Sequence, residues 1–203
     1  MSIKDKEKWN QRYNCKRYLY GKEPSAFLRQ KINTLTKGDA LVLAMGEGRN
    51  AVYLAQCGYN TTGIDISKFA IRKCRKLAQE KGVYINRIVA DLDGNEIGKV
   101  KYDLVTCFYF YDRLLLPKII GLLKPQGMFI LEQFSIDHLE HGTHGPRNPD
   151  YLVKPNELLG TFKSLKIIYY EDTIVELDAK WRQGTAAIIR LIVQNYPVEA
   201  NII

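Results

Sequence analysis

The chain has 203 residues, 46% of them hydrophobic, and a formal charge of +8. That is enough chain for one domain with a substantial core, and no run approaches the ~18 uninterrupted apolar residues of a membrane span. The start, Met1-Ser2-Ile3-Lys4-Asp5-Lys6-Glu7-Lys8, reads as too charged for a signal peptide, and Cys15, Cys57, Cys74 and Cys107, without metal-type spacing, are expected as reduced thiols of a soluble cytoplasmic protein.

In chain order, a charged helix over 3–14 carries Trp9 and Tyr13 four residues apart on one face. A Tyr/Gly stretch follows, and Pro24 is expected to open a second helix over 24–33, since proline favours the first helical position. Leu41-Val42-Leu43-Ala44-Met45-Gly46-Glu47-Gly48-Arg49-Asn50-Ala51 then reads as a strand over 40–45 running into two glycines one residue apart. A helix starts at once and ends by Gly58. A second strand over 59–64 leads to Asp65-Ile66-Ser67, with Ser67 a side-chain cap for a basic helix. In that helix Ala70, Ile71, Cys74, Leu77 and Ala78 recur at helical spacing. Lys68, Arg72, Lys73, Arg75, Lys76 and Lys81 are therefore assigned to its solvated faces.

A third strand over 85–90 closes on Asp91-Leu92-Asp93-Gly94. A fourth over 102–108 leads through Phe108-Tyr109-Phe110-Tyr111 to an apolar helix over 114–123. Lys124-Pro125-Gln126-Gly127 is a turn before a fifth strand over 128–134. Strands alternating with helices imply right-handed crossovers and a doubly wound, mostly parallel α/β sheet. Residues 135–155 read as a loop holding His138, His141 and His144, where Gly142 and Gly145 argue against a helix. A short helix is expected over 155–162. Two long strand patterns, 165–177 and 186–194, joined across 178–184, form an antiparallel hairpin.

Glycine admits a ligand close to the backbone, and a helix N-terminus offers unpaired N–H groups there. A carboxylate ending the neighbouring strand is placed for the hydroxyls of a ribose. Gly46, Gly48 and Asp65 thus read as a site for a nucleoside-containing cofactor. The run Gly46–Ala51 satisfies G-x-G-x-x-G/A, so an NAD(P)-dependent reductase is one reading. Three features favour S-adenosylmethionine. Asp91 stands just past the third strand, placed for an adenine amino group. The Lys124–Gly127 turn is typical of class I methyltransferases, and the hairpin puts an antiparallel strand into the sheet as that fold does. A reductase is expected to show Tyr-x-x-x-Lys after the fourth strand, whereas Tyr18 to Lys22 precedes the nucleotide fold.

Gly46–Ala55 and Gly58–Asp65 fit Gly-x-Gly-Arg-Asn-x-x-x-Leu-Ala and Gly-Tyr-x-x-x-Gly-x-Asp. On these motifs the chain resembles small class I S-adenosylmethionine-dependent methyltransferases of the tellurite-resistance and thiopurine-methyltransferase-like branch. The likeness extends to Gly145-Pro146 and Gln183-Gly184-Thr185-Ala186-Ala187 and covers nearly the whole chain. It implies one Rossmann-like domain with strand order 3-2-1-4-5-7-6. Residues 1–35 would be a helical lid, 36–134 the cofactor-binding core, and 135–203 a substrate loop and hairpin. The cofactor residues it implies are Gly46, Glu47, Gly48, Arg49, Asn50, Asp65, Ile66, Asp91, Leu92 and Phe108, with Trp9 and Tyr20 facing the sulfonium from the lid.

Two departures stand out. Val42 and Ala44 replace the family's acidic residue and third glycine, and Met45 occupies the place of a frequent carboxylate. Glu47, or backbone carbonyls, are then expected to meet the methionine ammonium. A catalytically silent cofactor binder and an RNA methyltransferase stay open as alternatives. The expected reaction is methyl transfer to a small molecule, a thiol or chalcogen compound needing little base. Tyr109, Glu132, His144 and Trp181 are candidate pocket contacts, with Tyr109 and His144 the candidate catalytic groups. No metal, membrane or nucleic-acid partner is expected, and the state is a monomer or homodimer.

Overall fold

A computed structural model describes residues 3–92, 100–179 and 182–196. In chain order it has α1 (Ile3–Tyr13), α2 (Ala26–Lys31), β1 (Asp39–Leu43), α3 (Arg49–Gln56), β2 (Asn60–Asp65), α4 (Lys68–Glu80) and β3 (Asn86–Val89). There follow β4 (Tyr102–Phe108), α5 (Leu116–Ile119), β5 (Leu123–Phe134), α6 (His138–His141), α7 (Glu157–Thr161), β6 (Lys166–Ala179) and β7 (Arg182–Gln194). The strands make one seven-stranded sheet, ordered β3-β2-β1-β4-β5-β7-β6. β1 to β5 run parallel, and β7 lies antiparallel between β5 and β6. This is the Rossmann-like methyltransferase order expected above. Among the described residues no helix is long and apolar enough to cross a membrane.

The two-residue period of β1 sorts the core. Leu41 and Leu43 join Val105, Leu131 and Ile189 on one face, under Leu116 and Ile119 of α5 and Leu158 of α7. Ala40 and Val42 join Leu104, Ile130 and Ile192 on the other, under Phe27 of α2, Val52 of α3 and Leu77 of α4. A central parallel strand covered on both faces is apolar throughout, as β1 is from Ala40 to Leu43.

Several expected boundaries move. Pro24 does not begin α2; Ser25 precedes the helix in extended conformation, and Ala26 is its first residue. The helix expected over 114–123 contracts to α5 and a 3₁₀ turn at Ile120–Leu122. Its start is consumed by a turn in which Asp112 accepts from Leu114, Leu115 and Leu116 N–H groups. The turn at 124–127 is an excursion within β5, since Leu123 pairs with Tyr102 but Met128 already pairs with Leu104. One helical turn, α6, forms in the segment where Gly142 and Gly145 argue against a helix, because both glycines fall after its end. The hairpin strands run on through most of the expected connector. Trp181 lies outside the described residues.

Ala44, standing where a third glycine was expected, has φ 47°. A Cβ in that left-handed region costs about 1–2 kcal/mol, partly offset in glycine by a more flexible unfolded chain. Ala44→Gly is therefore expected to raise the thermal midpoint by about 1–3 °C. A lowered midpoint in a thermal melt would refute the strain.

Candidate functional site

The carboxyl ends of β1, β2 and β4 meet at one edge of the sheet, and the chain leaves each in a turn. After β1, Gly46 (φ 58°) and Gly48 (φ 90°) form the elbow before α3. A Cβ on Gly46 would stand 3.1 Å from Tyr13 Oη, and one on Gly48 would lie 2.4 Å from Cys74 Sγ. Gly48 has no room for a side chain, and one at Gly46 would be strained and press on Tyr13. Gly46 N–H donates to Asp65 Oδ2 at 2.7 Å, and Ser67 N–H donates to Asp65 Oδ1 at 2.8 Å. The carboxylate at the end of β2 thus clasps the elbow. Burial pushes its pKa up to about 6, while the Ser67 and Gly46 N–H groups pull it down.

Asp91, half-buried, follows Ala90, whose N–H donates to the Asp65 carbonyl, so the turn after β3 is held beside the end of β2. Arg49 opens α3, half-buried, and Phe108 ends β4. The side chains of Ile66 and Leu92 are buried, Leu92 among Leu41, Leu43 and Ile64. Met45, in place of a carboxylate, packs on Gly63, where an added Cβ would reach its Sδ at 2.1 Å.

The N-terminal segment lies over this elbow. Trp9 and Tyr13 stack at 5.6 Å, and Tyr13 meets Tyr20 edge-on at 6.3 Å. The Arg12 guanidinium lies over both Trp9 and Tyr20. Burial, with the charge of Asp65 second, holds the Tyr13 phenol well above its ordinary pKa, so it is a neutral hydroxyl. Ser67 Oγ donates to Asn10 Oδ1 at 3.0 Å, tying α1 to the cap of α4.

Glu47 differs from its expected role. Its Oε2 accepts from Leu19 N–H (2.7 Å) and Tyr20 N–H (3.2 Å), and its Oε1 pairs with Lys73 Nζ at 2.7 Å. The carboxylate that was to meet an ammonium is committed to the N-terminal segment and to α4. Lys73 also departs from the solvated face assigned to it. It is buried, and its ammonium donates to the Arg17 carbonyl at 2.6 Å. Its position, three after Ala70 and four before Leu77, is the signal that places it on the buried stripe.

Asn50 has a structural engagement of its own, its Oδ1 accepting from Ser25 N–H at 2.9 Å. Ser25 Oγ in turn donates to Glu132 Oε1 at 3.1 Å, and Tyr109 Oη donates to the same oxygen at 2.8 Å. Arg190 Nε lies 2.8 Å from Glu132 Oε2 and Arg190 Nη1 3.0 Å from Glu171 Oε2. Ser25, Arg190 and Glu171 were not singled out from the sequence. Tyr109 sits just past β4 with φ 57°, and its N–H donates to the Glu132 carbonyl.

His138, His141 and His144 do not converge. His138 is fully buried against Phe134 and bonds through Nε2 to the His144 carbonyl, whereas the His141 and His144 rings are exposed. His144 Nδ1 lies 3.0 Å from Thr143 Oγ1. Among the described residues no group of three His, Cys, Asp or Glu side chains is set to hold a metal.

Residues 40–127 match a family model described as a methyltransferase domain. Over 108 residues the chain is 29% identical to the ubiquinone biosynthesis O-methyltransferase of Rickettsia felis, covering 51% of this chain and 44% of that one. The chain thus spans less than half of that relative. TehB from Haemophilus influenzae superposes with TM-score 0.69 at 17% identity, over 93% of this chain and 66% of TehB. An S-adenosylmethionine-dependent methyltransferase from Clostridium acetobutylicum does so with TM-score 0.62 at 16% identity, over 95% and 98%.

Proposed function

Taking residues 40–127 as a methyltransferase domain within this fold, we infer that the chain is an S-adenosylmethionine-dependent methyltransferase acting on a small molecule. The observation that carries the reading is the Asp65 carboxylate closing an elbow of two left-handed glycines, of which Gly48 has no room for a Cβ. S-Adenosylmethionine, when bound, supplies an electrophilic methyl group on a sulfonium. The protein contributes alignment and exclusion of water. Gly46 and Gly48 admit the ligand to the backbone, Asp65 accepts from the ribose hydroxyls, and Asp91 accepts from the adenine amino group. Trp9, Tyr13 and Tyr20 present aromatic faces to the positive charge, each worth about 0.5–2 kcal/mol.

A soft acceptor, a thiol or chalcogen compound, suits a site without a strong base. An oxygen acceptor is the second reading, favoured by the pairing of Tyr109 with Glu132. Incubating the protein with methyl-labelled S-adenosylmethionine and a panel of thiols, selenium and tellurium oxyanions and phenols distinguishes them. Label is expected to appear on one class, with S-adenosylhomocysteine as co-product. A protein stabilised by NAD(P) and indifferent to S-adenosylhomocysteine would overturn the assignment, and one that binds S-adenosylhomocysteine but labels nothing would be a silent binder.

A further inference from the structure

Across the sheet, Phe108 of β4 pairs with Glu132 of β5, which pairs with Arg190 of β7, which pairs with Glu171 of β6. This row lies at the carboxyl end of β4, one residue before Tyr109. Leu43, the last residue of β1, pairs with Cys107, so the turn holding Tyr109 and the turn holding Gly46 leave adjacent strands at nearly the same level. Tyr109 therefore stands beside the elbow, on the side away from Asp65 and β2.

The hydrogen bonds around Glu132 are unequal. Its Oε2 takes the cationic Arg190, while its Oε1 takes two neutral hydroxyls, from Ser25 and Tyr109. Arg190 is shared with Glu171, so one cation serves two carboxylates and the trio keeps one net negative charge. Glu132 itself is 3% exposed, while Tyr109 is only half-buried. Of the hydrogen-bonded pair, the tyrosine is thus the member nearer solvent. A left-handed backbone at a tyrosine is costly, and here it is held by bonds from both its N–H and its Oη to Glu132.

We propose that Tyr109 and Glu132 form a proton relay that selects an acidic hydroxyl, a phenol or enol, as the methyl acceptor. The proposal rests on the methyltransferase reading and takes its oxygen-acceptor alternative over the soft acceptor. The acceptor oxygen gives its proton to Tyr109 Oη as Tyr109 gives its own to Glu132 Oε1. The oxygen–methyl bond forms while the sulfur–methyl bond breaks. Sulfonium, hydroxyl and carboxylate become thioether, methyl ether and carboxylic acid, and the charge balances. A carboxylate acting through a phenol is too weak a base for an aliphatic alcohol, which restricts the class to hydroxyls near its own acidity. A thiol would ionise without the relay.

The test uses the full chain saturated with S-adenosylhomocysteine, and 4-nitrocatechol, whose absorbance separates its neutral and anionic forms. Binding of S-adenosylhomocysteine is measured first by calorimetry. In the wild type, 4-nitrocatechol is expected to bind saturably and to ionise at least about tenfold more readily than in buffer. Tyr109→Phe and Glu132→Gln are expected to abolish that shift without altering S-adenosylhomocysteine affinity. Tyr109→Phe keeps the Glu132–Arg190 pair and so guards against a misfolded Glu132→Gln. With S-adenosylmethionine, Tyr109→Phe should slow transfer to a phenol by about 10²-fold or more. Binding of S-adenosylhomocysteine without bound, ionised nitrocatechol overturns this proposal alone, as does equal ionisation in wild type and Tyr109→Phe, or methylation of benzenethiol but of no phenol. Failure to bind S-adenosylhomocysteine removes the methyltransferase reading and the relay with it.

Discussion

Glu47→Ala is expected to destabilise the protein by about 3–5 kcal/mol, the usual result of stranding one member of a buried ion pair. The Glu47 side chain is 2% exposed and that of Lys73 11%. Removing the carboxylate strands the Lys73 ammonium and deprives the Leu19 and Tyr20 N–H groups of their acceptor. Lys73→Met should cost a similar amount by leaving the glutamate uncompensated. Glu47→Leu with Lys73→Met restores an uncharged interior but not the acceptor for the two amides. It should therefore be more stable than the sum of the single changes implies, by about 2 kcal/mol. Urea unfolding of the wild type, Glu47→Leu, Lys73→Met and the double variant measures this. Strict additivity would mean that the pair contributes nothing. The same single variants should also expose residues 14–21 to proteolysis, because this pair is what straps that segment to the elbow and α4.

Asp65→Asn should weaken S-adenosylhomocysteine binding by on the order of 10²-fold, and it should cost about 1–3 kcal/mol of stability. The reason lies in the bond pattern. Both carboxylate oxygens accept from backbone N–H groups, and an amide turns one of those acceptors into a donor facing Gly46 or Ser67. The pH dependence follows from a carboxyl whose folded pKa, about 6, exceeds its ordinary 3.8. Protonation favours the folded state, so this group's stabilisation is complete below about pH 4 and is lost as pH rises through 6. Affinity runs the other way, because ribose hydroxyls donate to the carboxylate and not to the acid. Calorimetric titrations should show binding tighten from about pH 5 to about 7 and then level off. The Asp65→Asn variant should give a flat profile. A wild-type profile equally flat would remove Asp65 from the site.

The lateral order of the strands was implied by the resemblance alone, but the succession of strands and helices was readable because it follows from local patterns: apolar runs closed by turn residues, alternating with amphipathic helices, then two strand patterns without a helix between them. The elbow was readable for the same reason, since Gly46, Gly48 and Asp65 announce themselves by residue type and spacing. The bonds that organise the site join distant residues. Glu47 meets Lys73 across 26 positions, and Ser25 meets Glu132 across 107. No periodicity encodes those partners. Lys73 was misplaced because its charge outweighed its position on the apolar stripe. Glu132 was expected as a pocket contact, but its partners Arg190 and Ser25 belong to elements whose packing only the fold reveals. Helix ends were less legible, as at Ser25 and Asp112, where side-chain and backbone bonds shift a boundary by two residues.

The central seam of the sheet, where β1 meets β4, divides labour across the crevice. Residues that would grip the donor hang from β1 and β2, while Tyr109, Glu132 and Arg190 hang from β4, β5 and the terminal hairpin. On the proposed function, divergence can then redirect the acceptor by rewriting residues 109–134 and the hairpin as an exchangeable cassette, leaving donor capture intact. The Asn50–Ser25–Glu132 thread crosses that seam, so any grafted cassette must preserve it to keep the two halves in step.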